Sequence, residues 1–233
     1  MQLPLILGHS SSNEPFRVDL ATLPHLFISF SEDADFTTLM SSLCHQLVTY
    51  EPGNKLRIAM AVNNHHAETM MDLVPAQYWF RKFITNKQEE NLNTDSHLLF
   101  MRTMITTFKK RMRLAGEKRT AELGFTPLIF FSDNILDLVI VSRKRNVDVD
   151  FMQILLMGKQ VGIHCIVASS ASYRNLLSQL MHIHPNVKAV MEKNNIEIKV
   201  ADNKTLGAEL ILSGEGLLFF KDKECNQYNK LYP

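Results

Sequence analysis

The sequence predicts an α/β domain whose parallel or mixed central sheet is covered by helices on both faces. Short apolar runs suited to buried strands alternate along the chain with segments whose apolar residues recur at helical spacing, and this alternation favours a mostly parallel sheet. The chain has 233 residues, of which 45% are hydrophobic, and this is enough to bury one sizeable core. We therefore expect a single domain spanning residues 1–233.

The first predicted element is a β-hairpin. Two apolar-rich runs, at residues 3–7 and 16–20, flank the turn-forming stretch GHSSSNEP, and this arrangement is typical of a hairpin. We assign residues 1–24 to this N-terminal hairpin and residues 25–233 to an α/β core.

The core is predicted to begin with a strand and a helix. HLFISF, residues 25–30, is a short apolar run suited to a buried strand, and the residues that recur at helical spacing behind it are Leu39, Met40, Leu43 and Leu47. Further strands are predicted at residues 55–62, 127–132, 162–169, 196–200 and 216–220. Further helices are predicted at residues 68–74, 95–115 and 151–157.

Composition excludes several classes of protein. Lys and Arg total 25 against 24 for Asp and Glu, so any surface for nucleic acid or anionic lipid must be a local patch. The three cysteines are far apart in sequence, which argues against a zinc site or a disulfide framework and fits a reducing cytoplasm. No signal peptide and no apolar run of about 20 residues is found. We expect a cytoplasmic chain that makes no membrane contact itself, either alone or as the soluble part of a membrane-anchored protein.

Four stretches in order carry a resemblance to a known family. They are LPLILG with VDLATLPHLFIS, then FKKRMRLAG, PLIFFSDNILDL and GKQVGIHCIVASS. Together they resemble the motor domain of the FtsK/SpoIIIE family of DNA translocases. The resemblance implies a RecA-like three-layer sandwich with a mostly parallel sheet and an N-terminal hairpin. It also implies ATP and Mg²⁺ as the family's cofactors and hexameric rings that encircle duplex DNA.

The segment that resembles a Walker A loop departs from the family pattern. A loop of the form G-x-x-x-x-G-K-[ST] needs glycines for its backbone and a lysine for the phosphates. Phe30 and Asp35 stand at the glycines, Phe36 at the lysine, and only Thr37 matches. The acids of this segment, Glu32, Asp33 and Asp35, would face a polyanion. The alternative is an ordinary solvated turn with Asp35 or Ser31 capping the next helix.

The other family motifs depart in the same direction. Asp133 stands at the Walker B position that holds magnesium, and Asp137 also matches the family. Asn134 replaces the neighbouring carboxylate that would activate water, and an amide cannot accept the proton. Ser170 stands at the position of the sensor glutamine, and Lys159 at that of an arginine.

The expected function is therefore non-catalytic. The resemblance and its departures imply a structural or regulatory part of a DNA-translocation assembly, in a homo- or hetero-oligomeric ring, with no nucleotide and no metal bound by this chain. One alternative is a weak ATPase that uses Asp133, Asp137 and Thr37 around Mg²⁺ and takes its missing cation from Lys159 or a neighbouring subunit. Another is a degenerate ATPase domain of a secretion or conjugation apparatus.

A basic run and several single residues are candidates for further sites. Candidates for contact with nonspecific duplex DNA are Lys109, Lys110, Arg111 and Arg113, with a solvated helix face as the alternative. The pairs His65 with His66 and His182 with His184 have no third ligand at a familiar spacing, so we expect no metal there. Cys165 is expected to be a buried hydrophobe, and Trp79 either a partner contact or a packed core residue.

Overall fold

The computed structural model describes residues 3–22, 25–30, 36–50, 56–85, 90–117, 124–134, 138, 140, 148–169, 208–212, 218–222 and 227–231. These residues form a two-stranded hairpin and an eight-stranded sheet with helices. The strand predicted at residues 196–200 lies outside them. Among the described residues, no helix combines the length and apolar character needed to span a membrane.

The N-terminal hairpin is confirmed. Strands β1 (Pro4–His9) and β2 (Pro15–Asp19) pair antiparallel. Asn13 in the turn has a φ of 63°, the left-handed conformation that asparagine tolerates better than most residues. The Asp19 carboxylate closes the open end of the hairpin, because its Oδ1 accepts hydrogen bonds from the backbone N–H groups of Leu3 and Ala21 at 2.8 and 2.9 Å.

The eight strands of the sheet lie in the order β10-β9-β8-β3-β7-β6-β4-β5. Their bounds are β3 (His25–Phe30), β4 (Arg57–Asn63), β5 (Trp79–Thr85), β6 (Leu128–Ser132), β7 (Ile163–Ser169), β8 (Ala208–Leu212), β9 (Leu218–Asp222) and β10 (Gln227–Leu231). The six strands from β8 to β5 run parallel, and β9 and β10 extend the sheet antiparallel. A mostly parallel central sheet is confirmed.

Four helices cover this sheet in the described part of the chain. They are α1 (Phe36–Tyr50), α2 (Asn64–Asp72), α3 (Glu90–Glu117) and α4 (Asp148–Met157). The predicted helices at 68–74, 95–115 and 151–157 each fall on one of the last three, with earlier starts in the structure. A 3-10 turn, Gly158–Val161, joins α4 to β7.

Two hydrophobic cores lie on opposite faces of the sheet, and the alternation of side chains along each strand divides them. On β4, for example, Ile58, Met60 and Val62 enter the first core, and Ala59 and Ala61 enter the second. The first core also holds side chains of the hairpin, α1 and α2, and the second those of α3 and α4. The three-layer arrangement expected from the resemblance is confirmed.

The hairpin is fastened to α1 by a side-chain amide. Gln46 Oε1 accepts from the Ile6 backbone N–H at 2.7 Å, and Gln46 Nε2 donates to the Ile6 carbonyl at 3.0 Å. The amide thus bonds both backbone groups of one strand residue, as a neighbouring strand would. Leu5 and Leu7 are buried in the first core, so polar and apolar contacts both hold β1 on this face.

A fully buried histidine ties β3 to its neighbours at the start of the strand. The backbone N–H of Cys165 donates to His25 Nδ1 at 2.9 Å, so His25 Nε2 carries the proton and donates to the Leu155 carbonyl at 2.8 Å. Burial, together with the nearby His164, lowers the pKa of His25 to about 3. His25 is therefore a neutral bridge between β3, β7 and α4.

Arg111 of α3 fastens the starts of β6 and β7. Its guanidinium donates to the carbonyls of Val161, Gly162 and Thr126 at 2.8, 3.1 and 2.9 Å. It also lies 5.4 Å from the centre of the Phe125 ring. Burial lowers the pKa of Arg111. We call the end of the sheet where His25 and Arg111 lie the amino edge, because the parallel strands begin there.

Three strands were not predicted from the sequence, namely β5, β8 and β10. From the sequence, the segment of β5 is considered only through Trp79, either as a partner contact or as a packed core residue. In the structure Trp79 packs against the first core and donates from Nε1 to the Val74 carbonyl at 2.9 Å, which favours the packing alternative. The prediction that Cys165 is a buried hydrophobe is confirmed, and burial raises the pKa of its thiol.

Candidate functional site

The candidate site lies at the opposite end of the sheet, where the parallel strands finish. Open α/β sheets bind their ligands at these carboxyl ends, near strands whose following helices leave on opposite faces. Strand β3 leads into α1 on the first face, and β6 precedes α4 on the second. We call this end the carboxyl edge.

The described residues that flank the Walker A-like segment are at this edge. Strand β3 ends at Phe30 and α1 begins at Phe36, the order of a strand and a helix found around a phosphate-binding loop. Three of the predicted site residues, Glu32, Asp33 and Asp35, fall in the segment between them and lie outside the described residues.

The first turn of α1 offers backbone donors, and its own sequence supplies no cation. Phe36 and Thr37 are its first two residues, Thr37 is half-buried, and Phe30 packs partly buried against the first core. A helix N-terminus attracts anions through its unpaired N–H groups and its dipole. The first turn, FTTL, contains no lysine or arginine.

Asp133, the predicted Walker B residue, follows β6 directly and is buried at this edge. Its Oδ2 accepts hydrogen bonds from the Asn63 backbone N–H at 2.6 Å and from His66 Nδ1 at 2.8 Å. The Asp133 side chain is only 4% exposed, while that of His66 is 22% exposed. The second oxygen, Oδ1, is buried and has no hydrogen-bond partner in the described part of the chain.

These contacts make Asp133 the anchor of α2. Asn63 is the last residue of β4, and α2 begins at Asn64 with His66 as its third residue. The carboxylate therefore lies at the N-terminus of a nine-residue helix, where the helix dipole favours negative charge. The hydrogen bonds also offset part of the cost of burying a carboxylate.

The other Walker B and sensor positions are only partly described. The backbone N–H of Asn134 donates to Ser132 Oγ at 3.3 Å. Strand β7 ends at Ser169, so Ser170 follows it directly. Ser170 and Asp137 lie outside the described residues.

Lys159 lies at the amino edge, away from the candidate site. Its Nζ donates to the Thr22 carbonyl at 2.6 Å, and both residues precede the strands that they flank, β7 and β3. A strand of six residues is about 20 Å long at roughly 3.3 Å per residue. Within one chain, Lys159 is therefore too far from the mouth of α1 to supply the missing cation.

The predicted DNA-contact residues have different surroundings on α3. Lys109 pairs with Asp150 of α4 at 2.8 Å, and Arg113 lies 3.6 Å from Glu117 on the exposed helix face. Lys110 is exposed. Arg111 already donates to three backbone carbonyls at the amino edge, so the donors of its guanidinium have partners within the fold.

His66 is the residue that sequence reasoning missed. It was considered only as half of an adjacent histidine pair, and no group of three or more His, Cys, Asp or Glu side chains forms a potential metal site among the described residues. The available signal was positional. His66 follows β4 by three residues and Asp133 follows β6 by one, and β4 and β6 are parallel neighbours.

Comparison with known proteins confirms the resemblance stated from the motifs. No protein-family model matches the chain. It is 22% identical over 232 residues to the DNA translocase FtsK of Chlorobaculum tepidum, covering 94% of this chain and 28% of that protein. It is 21% identical over 233 residues to the DNA translocase FtsK of Chlamydia trachomatis, covering 94% of this chain and 29% of that protein. The chain thus spans less than a third of these curated relatives.

Solved structures support the same fold. The pCW3 conjugation coupling protein TcpA, in its monomer form with ATPγS, superposes with a TM-score of 0.64 at 10% identity, covering 99% of this chain and 65% of that one. Thermomonospora curvata EccC (ATPases 2 and 3), in complex with a signal sequence peptide, superposes with a TM-score of 0.63 at 11% identity, covering 99% of this chain and 40% of that one.

Proposed function

Since the chain is an FtsK-like domain with the RecA-like fold of P-loop ATPases, we propose that it is a nucleotide-incompetent structural or regulatory member of a DNA-translocating assembly in the cytoplasm. The observation that carries this proposal is the first turn of α1. Phe36 begins the helix at the position of the Walker A lysine, and that turn contains no cation.

Electrostatics argue against a triphosphate at this helix. The missing ammonium removes the point charge that binds phosphate, and Glu32, Asp33 and Asp35 lie in the five residues before the helix. Two like charges about 4 Å apart cost roughly 4 kcal/mol at an effective dielectric near 20. A cost of that size lowers affinity on the order of a thousandfold, since each 1.4 kcal/mol is about tenfold.

The Walker B position does not restore the fit for magnesium. In nucleotide sites Mg²⁺ takes one or two carboxylates and completes its shell with phosphate oxygens and waters. Asp133 Oδ2 is already engaged by Asn63 and His66, which leaves one carboxylate oxygen, and the first turn of α1 has no lysine to hold the phosphates. We conclude that the described residues do not fit a magnesium triphosphate.

A weak ATPase is the second candidate, and one observation favours it. Asp133 Oδ1 is buried without a hydrogen-bond partner among the described residues, and a buried carboxylate oxygen of this kind is a position where a cation or its bound water is expected. Thr37 and Asp137 would be the other oxygen donors. The missing positive charge would come from a neighbouring subunit, because Lys159 lies at the amino edge.

Calorimetric titration with Mg·ATP separates the two candidates. We expect no binding heat from the wild-type chain and measurable heat from the Phe36→Lys variant, because it restores one ammonium to the helix mouth. Phe80→Lys is the matched control, since Phe80 is an exposed residue of β5 and the variant adds the same charge elsewhere. Micromolar binding by the wild-type chain would contradict the proposal.

DNA contact is the remaining part of this proposal, and the structure narrows its candidates. Lys109 is paired with Asp150 at 2.8 Å, and Arg111 donates to three backbone carbonyls. Lys110 and Arg113 are therefore the residues to test, since the Arg113 contact with Glu117 is longer, at 3.6 Å, and both side chains of that pair are exposed. We expect the Lys110→Ala, Arg113→Ala double variant to weaken binding of nonspecific duplex and to reduce the slope of log affinity against log salt by about two. Arg17→Ala, an exposed hairpin residue, is the control.

The same gel-shift assay addresses the secretion half of the secretion or conjugation alternative, because a conjugation apparatus also moves DNA. If the wild-type chain does not bind duplex even at low salt, an assembly that moves protein is favoured over one that moves DNA. Sedimentation of the chain alone and mixed with a competent FtsK-like domain tests the proposed homo- or hetero-oligomeric ring.

A further inference from the structure

The Asp133 carboxylate is held as a metal-bound carboxylate would be, but by protein groups. It is buried at the carboxyl edge, and one oxygen receives two donors, the Asn63 backbone N–H at 2.6 Å and His66 Nδ1 at 2.8 Å. These two donors come from β4 and α2. The carboxylate therefore joins the end of β6 to the end of β4 and to the start of α2.

His66 supplies what a cation would supply at this position. A buried carboxylate needs a partner that offsets its negative charge, because an unpaired buried charge is costly. The imidazole directs one N–H at Oδ2, and its side chain is 22% exposed while that of Asp133 is 4% exposed. The nitrogen that faces Asp133 lies at a hydrogen-bonding distance that leaves no room for an ion between them.

The unpartnered oxygen is the second observation. A cation next to a carboxylate can engage both of its oxygens, whereas an imidazole with one N–H directed at the group reaches only one. Asp133 Oδ1 is buried without a hydrogen-bond partner among the described residues, and the side chain is only 4% exposed. The site is thus half satisfied by the protein alone.

We propose that the His66 imidazole stands in the place of a metal ion at Asp133, so that β4, β6 and the start of α2 are held together without metal or nucleotide. This inference rests on the proposed function, because a nucleotide-incompetent domain must keep its carboxyl edge folded with an empty nucleotide site. His66 is a positioning residue in this arrangement, acting through the Asp133 carboxylate.

The test measures binding of Mn²⁺ alone, by electron paramagnetic resonance, to four proteins. We expect the wild-type chain to bind Mn²⁺ weakly and the His66→Ala variant to bind it about 10- to 100-fold more tightly, because Mn²⁺ no longer competes with a hydrogen bond to a charged oxygen. Adding Asp133→Asn to His66→Ala should abolish the gain. His45→Ala, an exposed histidine of α1, should behave as the wild-type chain.

The effect of Mn²⁺ on thermal unfolding gives a second readout. If His66 only anchored α2, Mn²⁺ would not change the unfolding midpoint of His66→Ala. Mn²⁺ should raise the midpoint of His66→Ala and leave that of the wild-type chain unchanged. If His66→Ala does not fold alone, it is refolded with and without Mn²⁺, and folding that requires the ion supports the proposal. Failure under both conditions overturns it.

Two further results overturn the inference: equal Mn²⁺ affinity of the wild-type chain and His66→Ala, or a gain in affinity that survives Asp133→Asn. Neither depends on nucleotide. Binding of Mg·ATP to the wild-type chain is measured separately and would contradict the proposed function. Failure of the inference about His66 and failure of the proposed function are therefore distinguishable.

Discussion

Replacing the buried His25 should remove much of the acid sensitivity of this fold. The neutral ring accepts from Cys165 N–H and donates to the Leu155 carbonyl, so protonation would place a second proton where a donor already points. The His25→Gln variant keeps one acceptor and one donor but has no titratable group. It isolates the effect of protonation from the loss of the bridge.

The magnitude follows from the pKa of His25, which burial and the nearby His164 lower from 6.5 to about 3. Since the folded pKa lies below the unfolded one, the unfolded chain takes up the proton first as pH falls. The stabilisation is present above about pH 6.5 and is lost progressively toward pH 3. At pH 5, which is 1.5 pH units below 6.5 at roughly 1.4 kcal/mol per unit, the loss is about 2 kcal/mol.

Urea unfolding followed by circular dichroism, at pH 7.5 and pH 5, measures this difference. We expect His25→Gln to be less stable than the wild-type chain at pH 7.5 by about 1 to 3 kcal/mol, since the amide reproduces the bonds imperfectly. Between the two pH values it should lose about 2 kcal/mol less than the wild-type chain. His45→Gln is the exposed control. An equal loss of stability in the wild-type chain and His25→Gln would refute the reasoning.

Two further predictions concern the elements that hold the layers together. Arg111→Met should lower the free energy of unfolding, measured with urea, by about 2 to 4 kcal/mol, because three carbonyls lose a charged donor. Lys110→Met at the preceding, exposed position should change it by less than about 0.5 kcal/mol. Equal losses in the two variants would show that the Arg111 contacts contribute nothing to stability. Gln46→Ala should lower the free energy of unfolding by about 1 to 2 kcal/mol and speed hydrogen exchange at the Ile6 amide, since both hydrogen bonds between Gln46 and the Ile6 backbone are lost. His45→Ala on the same helix should leave that exchange rate unchanged. An unaltered Ile6 exchange rate in Gln46→Ala would contradict this role of Gln46.

Much of the fold follows from periodicity and apolar runs. Leu39, Leu43 and Leu47 are half-buried or buried along α1, and HLFISF forms β3 with the predicted bounds. The missed strands have weaker signals. WFRKFIT of β5 includes Arg81 and Lys82 on an edge strand, where charged side chains are common and the alternation is broken. QYNKL of β10 is polar for the same reason.

The sequence was enough to predict where the candidate site lies, but not which side chains contact each other there. Motif order located Asp133 at the end of β6, but no local pattern indicates that His66 reaches it, because the pairing depends on β4 and β6 being neighbours in the sheet. The role of Arg111 was hidden in a basic run for the same reason. Its three carbonyl partners lie 15, 50 and 51 residues away in the sequence, and only the tertiary fold brings them together.

The contacts that secure the amino edge lie far from the candidate site, and this distance affects how the domain can evolve. His25, Arg111 and Lys159 secure one end of the parallel strands, and the chemistry of a motor would occupy the other, about 20 Å away. Substitutions that far apart contribute almost independently to folding. A lineage could therefore lose or regain activity at one end through a handful of replacements while the scaffold, its melting behaviour and its fit to neighbours stay the same.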